Sequence, residues 1–167
     1  ALSTILDEMR LFKTEIEIKY IKKAIEISTQ AHIAAMQKAR PGVFEFELEA
    51  ELTSNFIRAG AKSPAYPSIV GGGENACILH YIENADEIKD GEMVLIDAGA
   101  EYGCYAADIT RTFPVNGKFS AQQRALYEIV LSAQKEAIDK VRPNKNWDEP
   151  HKAALSVIVD GLKNLNI

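Results

Sequence analysis

The chain has 167 residues, 47% of them hydrophobic, which suits one domain with a core of its own. Its 24 acidic and 19 basic residues leave a net charge of -5, and no block of Lys or Arg stands out, so electrostatics supplies no nucleic-acid or anionic-membrane partner. No apolar run approaches the roughly 20 residues that span a bilayer, and residues 1–12 carry Asp7, Glu8 and Arg10 where a signal peptide needs an apolar core.

The first predicted helix begins near Thr14, which forms a T-x-x-E capping box with Glu17. Ile18, Ile21, Ile25, Ile33 and Met36 recur at helical spacing and predict its buried stripe. Arg40-Pro41-Gly42 ends it, because proline cannot continue the ladder and glycine tolerates the turn. His32, inside this helix, is expected to be a structural histidine, partly buried or at the surface. A second helix over residues 45–59 places Leu48, Leu52 and Phe56 on one face, with Gly60 as its stop.

Residues 63–81 change character. Ile69-Val70 and Cys77-Ile78-Leu79 predict two short strands joined by Gly71-Gly72-Gly73. No Lys-Ser/Thr pair or helix follows the glycines, so a tight strand connection is preferred over a phosphate loop. Residues 93–96 predict a strand covered on both faces, and the chain returns from Cys104 to Phe113. Cys77 and Cys104 lack metal-type and redox-type spacing and read as small apolar residues of a reducing cytosol. Ser120 and Gln123 make another capping box, opening a helix with Leu126, Ile129, Val130 and Ala133 inward. Pro143-Asn144 interrupts it, and a last helix covers residues 148–163. Helices, a four-strand region and further helices give an α+β class.

Asp97 and Asp108 are the chemical focus. A two-residue turn at Tyr102-Gly103 would set them directly opposite each other, with Cβ atoms about 4.5–5.5 Å apart. Two carboxylates that close repel unless one takes up a proton or a cation joins them. Divalent ions bridged by carboxylates are a common hydrolytic arrangement, and oxygen ligands suit Mn, Mg or Ca. Spacing alone leaves a plainer alternative open, in which one Asp caps a turn and the other pairs with Arg111.

Local words narrow the choice. Ser68-Ile-Val-Gly-Gly-Gly-Glu-Asn-Ala-Cys-Ile-Leu-His80-Tyr, Val94-Leu-Ile-Asp97-Ala-Gly and Tyr105-Ala-Ala-Asp108-Ile-Thr-Arg-Thr-Phe-Pro-Val closely resemble the aminopeptidase P family. Met9-Arg-Leu-Phe-Lys, Arg40-Pro-Gly and Asn116-Gly-Lys-Phe are similar to it as well. The resemblance implies a partial pita-bread (creatinase/aminopeptidase) fold, an antiparallel sheet with helices packed on one side. Residues 1–13 would lead in from an N-terminal domain, and residues 14–167 would form the N-terminal half of the catalytic domain. It further implies a cytoplasmic hydrolase that removes an N-terminal residue preceding proline and uses two divalent metal ions, most often manganese. Asp97 maps onto a metal ligand, Asp108 onto the ligand that bridges both ions, and His80 onto a catalytic, substrate-site histidine. Tyr66 is expected to bind substrate, and Tyr66, Tyr102 and Arg111 are candidates to orient the carboxylates.

The family pattern also needs one more His and two Glu that this sequence does not supply. His151, in Glu149-Pro-His-Lys-Ala, does not resemble the histidine-rich word. By itself the segment is expected to bind metal weakly and hydrolyse nothing. An exposed apolar sheet face and an unpaired strand edge predict self-association, and a homo-oligomer is expected. The alternatives are an Xaa-Pro dipeptidase, a methionine aminopeptidase disfavoured by the Ile-Leu-His-Tyr context, and a non-catalytic pita-bread binding module.

Overall fold

In the computed structural model, which describes residues 2–167, Thr14 caps a helix as its sequence predicts. Its hydroxyl accepts from the Glu17 amide, and the Glu17 carboxylate accepts from the Thr14 amide at 2.6 Å. A helix not foreseen in the lead-in, α1 (Leu2–Leu11), precedes it and is exposed along its length. Ala1, the first residue of the expected lead-in, lies outside the described residues.

Helix α2 (Glu15–Lys38) buries a different stripe from the expected one: Ala24, Ile27, Ser28, Ala31, His32 and Ala35. Ile18, Ile25, Ile33 and Met36 are each more than a third exposed. The three alanines and Ser28 let the helix axis approach its neighbours closely, and the larger isoleucines fall to the flanks. Helix α3 (Glu45–Arg58) buries Leu48, Leu52 and Phe56 completely, as its periodicity predicts, and stops at Gly60 with φ 95°.

The strands are β1 (Ser63–Pro64), β2 (Ile69–Gly72), β3 (Met93–Ala98), β4 (Ala100–Tyr102), β5 (Tyr105–Ala106) and β6 (Ile109–Pro114). They pair antiparallel in the orders β1-β4-β5 and β2-β3-β6, so the expected four-strand region is split into two small sheets. Helix α2 packs on β4, β5 and β6, and α3 on β1 and β2, which gives the expected α+β arrangement. The shared core gathers Ile27, Leu48, Leu52, Phe56, Val70 and Ile96.

Two strand expectations need correction. Residues 77–79 form no strand: Gly73, at φ 53°, turns the chain into a 3-10 helix over Gly73–Cys77, and Ile78 and Leu79 are left exposed. An apolar triplet alone does not fix strand structure, and here Gly73 has already turned the chain out of line. Strand β3 is not covered equally on both faces either. Val94, Ile96 and Ala98 are buried while Met93, Leu95 and Asp97 are half-buried.

Phe119–Ile167 is a second compact unit. Its helices α4 (Ala121–Lys140) and α5 (Glu149–Asn164) pack on each other, and Ser120 and Gln123 close the expected capping box. Ala133 is buried, but Leu126 and Val130 face outward at 43% and 59% exposure, contrary to the expected inward stripe. Apolar residues occur all round α4, so their spacing leaves its inward face ambiguous.

Candidate metal centre

The hairpin that carries Asp97 and Asp108 turns one residue later than expected. Tyr102 pairs with Tyr105, and the loop is Gly103-Cys104, with φ of 59° and 68°. Two positive φ values in a two-residue loop are the requirement of a type I′ turn. Asp97 therefore faces Thr110, not Asp108, and Ala98 faces Ile109. Asp108 is the diagonal neighbour of Asp97 on the same face, two positions back along the returning chain. The expected opposition is wrong, while the shared face is right.

Gly99 explains the break in pairing next to Asp108. A Cβ there would lie 1.7 Å from the Ala107 carbonyl oxygen, so only glycine admits the facing backbone this closely. Helix α2 takes up the backbone groups on either side. Ser28 Oγ accepts from the Ala100 amide at 2.9 Å, and His32 Nε2 meets the Ile109 carbonyl at 3.0 Å. His32 Nδ1 also meets the Ser28 carbonyl, and burial pulls the His32 pKa below its ordinary value against these bonds. It is a structural histidine, more deeply buried than expected.

Tyr66, between β1 and β2, brings the carboxylates together. Its hydroxyl lies 2.6 Å from Asp97 Oδ1 and 3.1 Å from Asp108 Oδ1, so a single phenol proton serves both. Burial, followed by the bond to Asp97, pushes the Tyr66 pKa well above its usual 10, which keeps the hydroxyl a donor. The Ala65 amide, donating to the Gly99 carbonyl at 2.8 Å, ties this loop to the hairpin.

Among the described residues no Lys or Arg side chain forms an ion pair with either aspartate. Arg111, the partner in the plainer alternative, donates instead to the Thr110 carbonyl at 2.7 Å. Tyr102 packs against Tyr20 with ring centres 5.9 Å apart and does not reach the carboxylates. Two converging acidic oxygens without a side-chain cation fit a hard divalent ion. No third His, Cys, Asp or Glu joins them among the described residues, so the donor set is partial. His80 stands apart, exposed, at φ 58°, with no hydrogen bond to Tyr66, Asp97 or Asp108. Cys77 and Cys104 are unpaired, as expected, but exposed, not packed.

Sequence reasoning passed over Glu45, read only as an early helix residue. It is completely buried and takes donors from the Gly72 amide, Asn75, Tyr81 and the Asp86 amide. Nothing local signals this, because every partner lies at least 27 residues away.

A helix-backed antiparallel hairpin presenting paired carboxylates is a framework suited to a divalent cation. Residues 19–166 match the pattern of metallopeptidase family M24, and the chain belongs to that family. It is 50% identical to an Xaa-Pro aminopeptidase of Escherichia coli over 163 residues, which is 98% of this chain and 37% of that protein. It is 49% identical to the Haemophilus influenzae Xaa-Pro aminopeptidase, covering 97% of this chain and 38% of that one. The structure of Pseudomonas aeruginosa aminopeptidase PepP superposes with a TM-score of 0.98 at 54% identity, covering 99% of this chain and 38% of that one. An E. coli aminopeptidase P variant in complex with substrate gives a TM-score of 0.95 at 50% identity, over 96% of this chain and 37% of that one. The chain thus spans well under half the length of the relatives it matches.

Proposed function

We propose that this segment is part of a metal-dependent aminopeptidase that hydrolyses the bond between an N-terminal residue and a following proline. The observation that carries this reading is the convergence of the Asp97 and Asp108 carboxylates on one phenol with no side-chain cation beside them. Support also comes from the 50% identity to a protein described as an Xaa-Pro aminopeptidase.

In this reading Asp97 and Asp108 are metal ligands, and the cofactors are two divalent ions, manganese by preference. When bound, these ions supply Lewis acidity and an activated water. Tyr66 keeps its proton, orients the carboxylates and contributes to substrate binding. His80, on its exposed turn, donates to the scissile amide or relays a proton to it. Further ligands come from the remainder of the protein, because two carboxylates do not hold two ions. Residues 1–13 lead in from a preceding domain, and residues 14–167 are the N-terminal half of the catalytic domain.

The substrates are peptides with proline at the second position, and neither nucleic acid nor a membrane is a partner. The exposed free thiols of Cys77 and Cys104 support a cytoplasmic site of action. A homo-oligomer is included in this reading.

The test compares wild type with Asp97→Asn and Asp108→Asn in the full-length protein, assayed on an Xaa-Pro tripeptide with Mn2+. Each substitution should lower kcat/KM by more than about 100-fold, beyond the usual cost of an outer partner, and reduce Mn2+ occupancy. Wild-type rates in Asp108→Asn would refute the reading. The 167-residue chain alone should not cleave the peptide, and robust cleavage by it would count equally against the reading. Comparing an Xaa-Pro dipeptide with the tripeptide separates dipeptidase from aminopeptidase.

A further inference from the structure

Glu45 is the first residue of α3 and has no exposed surface, yet it lies outside the carboxylate pair. A buried carboxylate is costly unless donors surround it. Here four donors do so. The Gly72 amide reaches Oε1 at 2.7 Å and the Asn75 side chain reaches it at 3.1 Å. The Tyr81 hydroxyl reaches Oε2 at 2.7 Å and the Asp86 amide at 3.0 Å. The N-terminal end of α3 adds a favourable field for negative charge.

All four donors belong to residues 72–86, the segment that carries His80. Within it Ile78, Leu79 and His80 are exposed, and His80 takes a left-handed conformation at φ 58°. Tyr81, the next residue, is buried and ends in the bond to Glu45. The His80 backbone is thus a short exposed arch with one foot at Gly72 and Asn75 and the other at Tyr81 and Asp86. Both feet stand on one carboxylate. Asn75 links them: its Nδ2, with two hydrogens shared among three acceptors, lies 3.0 Å from the Tyr81 oxygen and 2.8 Å from Asp86 Oδ2 as well as near Glu45 Oε1.

We infer that Glu45 is the positioning residue for His80: its buried carboxylate gathers both ends of the 72–86 segment and so fixes where the imidazole is presented to substrate. This rests on the catalytic reading of His80. Charge matters as well as shape, because all four groups on Glu45 are donors. In Glu45→Gln one oxygen becomes an NH2 group, which sets donor against donor at one foot of the arch. The aspartate hairpin takes no bond from Glu45, so metal binding is separable from this role.

The experiment uses the full-length protein, loaded with Mn2+ and assayed on an Xaa-Pro tripeptide. Glu45→Gln should lower kcat between about 10-fold and about 100-fold, the scale of a catalytic group displaced by about 1 Å, while Mn2+ affinity stays at the wild-type value. Introduced into His80→Ala, the same substitution should change kcat less than about twofold, because the group it positions is gone. An equal loss in both backgrounds, or a parallel loss of Mn2+ affinity, overturns the inference. Tyr81→Phe, which removes one donor and leaves the carboxylate intact, provides a milder second variant. If His80→Ala keeps full activity, the catalytic reading of His80 fails, and hydrogen exchange then decides the positioning. Faster amide exchange over residues 72–86 in Glu45→Gln and Tyr81→Phe supports it, and wild-type exchange in both overturns it.

Discussion

The aspartate hairpin and the His80 segment belong to the same compact unit but are held by different forces. Asp97 is fixed by backbone: β3 is paired on both sides, with β2 and with β6, and Ile69 and Thr110 flank the aspartate across the sheet. His80 is fixed by side chains, with Glu45 and Asn84 standing in for strand pairing that the segment has only at Gly72, the end of β2. A ladder spreads its hold over many equivalent bonds, whereas a buried polar clamp concentrates it in a few groups. The hairpin should therefore fail by steric disruption of its backbone, and the His80 segment by loss of a single acceptor or donor.

The largest effect is expected at Gly99. In Gly99→Ala the new methyl would lie 1.7 Å from the Ala107 oxygen and 2.5 Å from its carbonyl carbon, both backbone atoms that cannot rotate away. Relief requires β4 and the returning chain to separate beside Asp108, which strains the Ala107-to-Ala100 bond and the Ala65-to-Gly99 bond. The cost should exceed about 3 kcal/mol, the upper end of ordinary overpacking. In the full-length protein this appears as a Tm lower by at least about 3 °C, with Mn2+ affinity falling as well. An unchanged Tm would show that the hairpin is looser than its ladder indicates.

The same contrast explains what could be read from the sequence. Thr14 with Glu17 and Ser120 with Gln123 form the capping boxes their spacing predicts, because each pair satisfies itself within one turn. The face of α3 was legible because Leu48, Leu52 and Phe56 recur every fourth residue and outweigh the exposed Phe46 and Ile57. The hairpin was half legible. Moving a two-residue turn from Tyr102-Gly103 to Gly103-Cys104 shifts every pairing by two positions, which changes the partner of Asp97 but keeps Asp97 and Asp108 on one face. In α2 the isoleucines outweighed the small residues, although it is Ala24, Ser28, Ala31 and Ala35 that make the close contacts. Tyr66 was named among the groups expected to orient the carboxylates, and its hydroxyl does bond both. Glu45 was the least legible, because its partners are distant in the chain and a carboxylate carries no local mark of what will surround it.

A smaller effect is expected at Asn84, which tests the second clamp of the His80 segment. Asn84 is buried, its Oδ1 accepts from the Val70 amide at 3.0 Å, and its Nδ2 donates to the Ser68 carbonyl at 2.9 Å. It also occupies φ 48°, which asparagine tolerates better than alanine. Asn84→Ala leaves a buried amide and a buried carbonyl without partners, a cost of about 2 kcal/mol. Hydrogen exchange at Val70 and across residues 80–86 should quicken while exchange at Ile96 and Thr112 does not. Equal acceleration at both places would mean that hairpin and segment open as one unit, and the contrast between them would be lost.

The smallest effect should come from the Tyr81 hydroxyl, and it carries a pH signature. Burial, then the bond to Glu45, pushes the Tyr81 phenol up to about 12 from an ordinary value of 10. A folded-state pKa above the unfolded one means that the native protein holds the proton more tightly. The resulting stability is fully present below pH 10 and is lost as pH rises through the folded value of about 12. Tyr81→Phe removes the bond and its titration together. At pH 8 the variant should be less stable by about 1 kcal/mol, the ordinary net worth of one hydrogen bond. As pH rises from 10 toward 12 the wild type should lose that advantage, and the two stability curves should converge and then cross. Parallel curves across this range would place the ionisable proton elsewhere and would remove Tyr81 from the clamp that holds His80.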